Sequence, residues 1–373
     1  DHIRMKQLEI ASEWNIIENS LQDDKFWYFI NEGKEYSTRI ELLFEIMVNI
    51  LSDNKLKDRE YKIFHFINDL YSSKIKDGLT KAEVIKEIWK KLKTIYFTLE
   101  EWYMDRTLYH YVGFIVAEKI KPLSVILKDI NVLNKNDGMK KDQILKEVKT
   151  IIKSSIRFDV NLEELTYSRN KNMIRRILLL FNIQTLEQNN APYKFPFYLY
   201  KKENWDLEHI HAITSFVPKR RSEQRIWLEI IANDTFLMKR DEGVKLQEKA
   251  RSMLNGSIDD DRFNKLYEDT INEYGVNNDN DSISNITLLD SGTNKSYRNS
   301  PFPIKREIII SNDKEGKFIP VCTKNVFLKY YSKNLEQMNY WSEQDEKDYI
   351  SEMKDTLSVF LGVDKEVENG IVI

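Results

Sequence analysis

A short segment in the middle of the chain concentrates residues that could perform acid–base chemistry. Asp206, Glu208, His209 and His211 place two carboxylates and two imidazoles within residues 206–211. Gathering ionisable groups in this way is costly unless they are paired or solvated. A carboxylate beside a histidine is a minimal hydrolytic pair, because the carboxylate can bind a hard cation and the imidazole can accept a proton. A surface strand with ordinary charges is the alternative interpretation.

A second polar segment follows, and its Asn285 lies 76 residues after His209. It reads SNITLLDSGTNKSYRNSPFPIK over 284–305 and contains Asn285 and Asn294, which are nine residues apart. The apolar run from Ile286 to Leu289 predicts a short strand within it. A carboxylate–histidine pair is therefore followed by an asparagine, an apolar run and a second asparagine.

These two segments resemble the HNH nuclease motif, also called the ββα-metal or His-Me finger. More specifically, residues 185–365 resemble the nuclease half of GmrSD-type restriction proteins, bacterial enzymes directed against modified DNA that is often of phage origin. The resemblance rests on the strings WDLEHI, SNITLLDSGTNKSYRN, PFPIKREI and FIPVCTKNVFLKYYS, and on the late residues Trp341, Asp345 and Tyr349. The early strings EWNIIENSL and DDKFWYFIN resemble the helical region between the two halves of such fused proteins.

The resemblance implies a role for each matching residue. His209 would be the general base that deprotonates the attacking water, and Asn285 would hold the catalytic loop through hydrogen bonds. Glu208 and Asn294 would bind one divalent ion, and a site of hard oxygen ligands indicates Mg²⁺ or Mn²⁺. Lys305 stands where a cation could neutralise the scissile phosphate, and a solvated helix lysine is the alternative interpretation.

Asp206 and His211 are further candidates for supporting roles beside the site. The HNH pattern often has a proline three residues after the histidine, and this chain has Ala212 there. The departure weakens a generic HNH match and leaves the pair Glu208–His209 intact.

Basic residues near the two segments are candidates for contacts with DNA, because each phosphate contact adds affinity that does not depend on sequence. The candidates are Lys219, Arg220, Arg221, Arg225, Lys295 and Arg298. A second basic group, Lys171, Arg175 and Arg176, lies on a predicted helix before the histidine segment. Pairing of such cations with neighbouring acids is the alternative interpretation.

The composition excludes several classes of protein. The 57 basic and 60 acidic residues give a net charge of −3, which excludes a uniformly basic nucleic-acid coat but allows local patches. The single Cys322 excludes a disulfide framework and a cysteine-rich zinc site, and it fits a reducing bacterial cytoplasm. No apolar run approaches the ~20 residues of a membrane span.

No nucleotide cofactor is expected in this chain. Neither a G-x-x-x-x-G-K-[ST] loop nor the acidic-Gly-Gln-Gln-Arg motif of the nucleotide-binding half of GmrSD-type proteins occurs in the sequence. Because the chain starts at Asp1 rather than at a methionine, we expect a piece of a longer polypeptide whose nucleotide-binding half is missing here.

The distribution of proline predicts the organisation of the chain. Only Pro122 of the seven prolines lies before residue 190, and proline disrupts helix interiors. We therefore expect a mainly α protein with a small α+β part: a helical domain over 1–182 and, over 183–373, a ββα-metal HNH nuclease domain embedded in helices. The aromatic stretch from Tyr193 to Tyr200 predicts an extended segment.

The leading hypothesis is a metal-dependent DNA endonuclease or nicking enzyme, the effector of an anti-phage defence system. A non-catalytic helical interaction and DNA-binding module with a degenerate nuclease fold is the alternative, and an RNA-directed HNH nuclease is a third. One HNH site cuts one strand, so double-strand cutting would require a homo-oligomer.

Overall fold

A computed structural model describes residues 2–52, 61–134, 138–156, 161–211, 217–274, 280–293, 300–333 and 337–362. Across these residues the chain is mainly helical and carries one small two-stranded sheet, which confirms the predicted mainly α class with a small β part. Within this described part, every helix is too short or too polar to cross a membrane.

The chain divides into two compact units, and each is discontinuous in sequence. Unit 1 comprises residues 1–155 and 193–202, and unit 2 comprises 156–192 and 203–373. The division differs from the predicted boundary between 182 and 183. The helix over 167–188 belongs to unit 2 because it packs against the strands and the last helix of that unit.

Unit 1 is a set of helices. The helices are α1 (His2–Leu21), α2 (Asp24–Ile30), α3 (Glu41–Leu51), α4 (Lys62–Lys76), α5 (Lys81–Met104), α6 (Arg106–Ala117), α7 (Leu123–Asp129), α8 (Lys141–Ser155) and α10 (Phe197–Lys202). A capping box starts α5, because the side chains of Thr80 and Glu83 each accept a hydrogen bond from the other's backbone N–H.

The returning segment of unit 1 corrects the prediction of an extended stretch over Tyr193–Tyr200. Phe197–Lys202 forms helix α10, and Pro196 directly precedes it, where the absent N–H of proline removes no helical hydrogen bond. The buried His110 accepts a hydrogen bond from the Phe195 N–H at 2.8 Å, so this histidine has a structural role.

Unit 2 packs helices around a two-stranded antiparallel sheet. It contains α9 (Tyr167–Gln188), β1 (Asp206–His209), α11 (Arg221–Ala232), α12 (Asp241–Asn255), α13 (Asp260–Tyr274), β2 (Ile286–Leu289), α14 (Phe302–Lys314), α15 (Val321–Phe327) and α16 (Glu343–Leu361). Short 3-10 turns lie at Leu162–Glu164, Leu237–Lys239 and Ile283–Asn285. The helices α11, α12 and α13 share an apolar core around Trp227 and Phe263.

All of β2 and the middle of β1 are buried. The strands β1 and β2 pair antiparallel, with Glu208 opposite Thr287 and His209 opposite Ile286. All four residues of β2 are buried, and α9 and α15 both pack against this strand. The hydroxyls of Thr287 and Thr323 are 2.8 Å apart, which joins β2 to α15 through a polar contact.

A buried ion pair connects the end of α15 to the start of α16. The ammonium of Lys329 lies 2.5 Å from the Asp345 carboxylate, and its side chain is fully buried. The Phe302, Tyr340 and Trp341 rings surround the same ammonium at 5.5–5.7 Å. Since aromatic faces attract cations, this cage compensates part of the cost of burying the charge.

Lys329→Met should lower the free energy of unfolding by about 3–5 kcal/mol, because it leaves the Asp345 carboxylate buried without its cation. Urea denaturation followed by circular dichroism measures this loss. Lys324→Met is the matched control, since Lys324 pairs with Asp313 at 2.6 Å on the surface of α15. The control should change stability by less than about 1 kcal/mol, and equal losses in the two variants would refute a structural role for the cage.

Candidate active site

The amide side chain of Asn285 fixes one end of the two-stranded sheet. The main chain extends the ladder by one bond, from Ile210 N–H to the Asn285 carbonyl at 2.8 Å. The Asn285 side chain then accepts a bond from His211 N–H and donates to the His211 carbonyl, both at 2.8 Å, and donates to the Asn280 carbonyl at 2.9 Å. One buried amide therefore holds the backbone of His211, two residues after His209, beside the carbonyl of Asn280.

Lys305 and Glu208 form a buried ion pair beside this loop. The Lys305 ammonium donates to Glu208 Oε1 at 2.5 Å and to the His209 carbonyl at 2.6 Å. Lys305 is fully buried and Glu208 is 8% exposed. Burial raises the pKa of the Glu208 carboxyl and lowers the pKa of Lys305, and the attraction between the two charges opposes both shifts.

The burial of Lys305 excludes its interpretation as a solvated helix lysine. It also argues against the predicted direct contact with a scissile phosphate, because the ammonium faces protein acceptors on both sides. Because the Lys305 ammonium donates to both Glu208 and the His209 carbonyl, it sets the relative position of these two residues. Lys305 is therefore a positioning residue in this structure.

His209 lies at the end of β1 with 22% of its side chain exposed. Its Nε2 atom is shielded from solvent and lies 3.5 Å from Asp281 Oδ1, which is long for a hydrogen bond but close enough for attraction. The shielding leaves Nδ1 as the ring nitrogen that can face a water molecule. Burial and the Lys305 charge lower the pKa of His209, so the ring is neutral near physiological pH and able to accept a proton.

Two residues that the sequence did not predict complete the surroundings of His209. Asp281 is held by the first turn of α9, since Ser168 N–H donates to its carboxylate at 3.0 Å and Tyr167 N–H to its carbonyl at 2.8 Å. The Tyr167 ring lies 5.1 Å from the His209 ring, centroid to centroid. Nothing in the local sequence distinguishes Asp281 from the other carboxylates and amides of its polar loop.

The described residues supply one clear oxygen donor for the expected divalent ion. Among them there is no group of three or more His, Cys, Asp or Glu side chains that could hold a metal. Glu208 offers a carboxylate whose Oε1 is bound to Lys305, which leaves Oε2 as the atom that could ligate a cation. Asn294, the second predicted ligand, lies outside the described residues, and the donor chemistry of Glu208 fits Mg²⁺ or Mn²⁺.

The two supporting candidates of the sequence have separate roles. Asp206 faces α9 and pairs there with Lys171 at 3.3 Å and Arg175 at 3.0 Å. His211 is 3% exposed and contributes its backbone N–H and carbonyl to the bonds with Asn285.

The predicted DNA-binding cluster surrounds the start of α11, and carboxylates partly neutralise it. Lys219, Arg220, Arg221 and Arg225 are all exposed. Arg221 forms two hydrogen bonds with Asp260, at 2.8 and 3.2 Å, and Arg220 lies 3.7 Å from Glu223. Lys295 and Arg298 lie outside the described residues.

Comparison with known proteins did not identify a relative. A scan against protein-family models, a search of curated proteins and a search of solved structures each found no match for this chain. The geometry of the described residues therefore carries the functional interpretation.

Asn285→Ala should lower the free energy of unfolding by about 2–4 kcal/mol, because it removes three hydrogen bonds and leaves buried backbone groups of His211 unpaired. Chemical denaturation measures the change. Asn233→Ala is the control, since Asn233 makes one exposed bond to the Glu229 carbonyl. A loss for Asn285→Ala no larger than the loss for the control would contradict the structural role of the Asn285 hydrogen bonds.

The pair Glu208–Lys305 should show strong energetic coupling. Glu208→Gln and Lys305→Met should each cost about 3–5 kcal/mol, because each leaves one uncompensated buried charge. The double variant should lose clearly less than the sum of the two single losses. A double-mutant cycle is built from the unfolding free energies of the wild type, the two single variants and the double variant. Additive losses would show that the two groups do not interact.

Proposed function

We propose that this protein is a divalent-metal-dependent HNH-type endonuclease that hydrolyses phosphodiester bonds in DNA. The observation that carries the proposal is the juxtaposition of a partly exposed His209 with the buried pair Glu208–Lys305 at the end of β1, where Asn285 holds the following residues. The site is preorganised for proton transfer, and its carboxylate offers an oxygen to a hard cation. The setting that we propose is bacterial cytoplasmic defence against phage DNA.

His209 acts as the general base in this proposal. Its Nδ1 atom accepts a proton from a water molecule while the water oxygen attacks the phosphorus atom. The phosphorus–oxygen bond to the leaving group breaks, and the leaving oxygen takes its proton from solvent. Asp281, on the Nε2 side of the ring, attracts the imidazolium that forms. General base catalysis of this kind contributes about 10²–10⁴-fold to the rate.

The other residues of the site fix geometry. Lys305 bonds both Glu208 and the carbonyl of His209, so the carboxylate and the imidazole keep one relative position. Asn285 holds the backbone of His211 and prevents the loop from moving away from β2. Preorganised groups lower the barrier because little rearrangement is required during the reaction.

Glu208 is the residue that would hold the divalent ion, and Asn294 is the second ligand in the proposal. When bound, such an ion stabilises the negative charge that develops on the phosphate and on the leaving oxygen. The ion would compete with the Lys305 ammonium for the charge of Glu208.

A non-catalytic DNA-binding module is the second candidate. One observation favours it: Lys305 already neutralises Glu208, so the ion pair could stabilise this part of unit 2 without a metal. The two candidates make opposite predictions for DNA cleavage.

Wild-type protein should nick supercoiled plasmid DNA in the presence of Mg²⁺ or Mn²⁺ and not in the presence of a chelator. His209→Ala should reduce the rate about 10²–10⁴-fold, because the water loses its proton acceptor. Gel electrophoresis of time courses, in which nicked circles precede linear DNA, measures the rates. His65→Ala is the matched control, because His65 is an exposed histidine of unit 1.

Equal cleavage by His209→Ala and wild type would refute the catalytic role of His209. An absence of cleavage with retained DNA binding would favour the non-catalytic module. A parallel series with single- and double-stranded RNA at the same salt concentration tests the preference for DNA, and faster RNA cleavage would contradict it.

A further inference from the structure

The loop over 280–285 determines which groups of unit 2 surround the candidate base. Its Asp281 carboxylate lies beside His209, and its Asn285 side chain holds the backbone of His211. A shift of this loop would therefore change the surroundings of the imidazole. Bonds to the start of α9 and to the first turn of α16 fix the loop from two edges.

The start of α9, with Leu165 before it, holds the middle of the loop. Tyr167 N–H donates to the Asp281 carbonyl at 2.8 Å, and Ile283 N–H donates to the Leu165 carbonyl at 2.9 Å. Ser168 N–H donates to the Asp281 carboxylate at 3.0 Å. These bonds fix Asp281 and its neighbours from one edge only.

A single carboxylate on α16 holds the loop from the other edge. Glu346 Oε2 accepts a hydrogen bond from Asn280 Nδ2 at 2.6 Å and a second bond from the Ser284 hydroxyl at 3.3 Å. Asn280 and Ser284 directly precede Asp281 and Asn285 along the chain. Glu346 therefore joins the two positions from which the residues beside His209 and His211 extend.

Glu346 is itself held in place, because the first turn of α16 is well fixed. Ser342 and Asp345 form a capping box there, and Asp345 also pairs with the buried Lys329. Glu346 N–H donates to the Ser342 carbonyl at 3.0 Å. Burial raises the pKa of the Glu346 carboxyl, and the bonds from Asn280 and Ser284 oppose this rise.

We propose that Glu346 is a positioning residue of the candidate site, which acts on His209 through Asn280 and Asp281. The inference rests on the proposed nuclease function and adds to it a residue 66 positions away from Asn280 in sequence. Because α9 holds Asp281 independently, loss of Glu346 loosens the loop without releasing it. The rate should therefore fall less than it falls when His209 is removed.

Plasmid nicking compares wild type with Glu346→Ala, Glu346→Gln and Glu343→Ala. Glu346→Ala should lower kcat about tenfold and change KM less than about twofold, because it disturbs the orientation of the base rather than substrate binding. Glu346→Gln keeps an oxygen that accepts the Asn280 bond, so it should recover at least about half of the wild-type rate. Glu343→Ala should leave the rate unchanged.

Glu343→Ala is the matched control because Glu343 lies in the same turn of α16, is exposed and lines the same cleft as Glu346. Asn280→Ala removes the other partner of the 2.6 Å bond. Combined with Glu346→Ala, it should lower kcat no further than the larger single loss, because the two residues act through one contact. Circular dichroism at the assay temperature verifies that each variant is folded.

A spectroscopic measurement tests the positioning of His209 without cleavage. Nitrogen-15 NMR at about pH 8, where imidazole is neutral, reports which ring nitrogen carries the proton. The His209 signals are those that His209→Ala lacks. We expect the proton on Nε2, the nitrogen nearest Asp281, in wild type and Glu343→Ala, and a mixture of tautomers in Glu346→Ala.

Wild-type kinetics in Glu346→Ala would overturn the inference, as would an equal loss in Glu343→Ala or no recovery in Glu346→Gln. Additive losses in the double variant would overturn it too, and so would an unchanged tautomer ratio in Glu346→Ala. If wild-type protein fails to cleave plasmid while the tautomer ratio responds as expected, the positioning of His209 by Glu346 stands and the nuclease function does not.

Discussion

The Lys305 ammonium is buried where water cannot solvate it, and the geometry of the candidate site depends on how this charge is satisfied. The charge requires acceptors within the protein, and it finds the Glu208 carboxylate and the His209 carbonyl. Isolated buried ions cost several kcal/mol, so movement of either acceptor is strongly opposed. Helix α14 is thereby tied to the end of β1, and the carboxylate and imidazole keep fixed relative positions.

The remaining contacts of the site extend this constraint to segments distant in sequence. Asn285 joins the chain after β1 to the start of β2, and Asp281 joins the same loop to the first turn of α9. His209 at the centre keeps a partly exposed side chain. A rigid frame around one accessible imidazole is the arrangement that a general base requires, because its function depends on orientation and on access to water.

Local sequence patterns predict part of this arrangement, but they do not predict the contacts between residues distant in sequence. The two strands were predictable because an apolar run and a charged segment lie where β2 and β1 form. The partnership of Lys305 with Glu208 spans 97 residues and depends on the packing of α14, so no local pattern reports it. Asp281 and Tyr167 became neighbours of His209 through a bridge between Thr166 and Ser282 that the sequence does not indicate. The helix over 197–202 was missed because Pro196 suggested a break, although proline is compatible with a position just before a helix.

The central claim is that the imidazole of His209 takes a proton from the attacking water, and chemical rescue tests it most directly. We predict that the His209→Gly protein is inactive on plasmid DNA with Mn²⁺ and that added imidazole restores cleavage in proportion to its neutral form. Restoration requires that the cavity left by the side chain accept a free base in the same position. Full cleavage by His209→Gly without imidazole would contradict the claim.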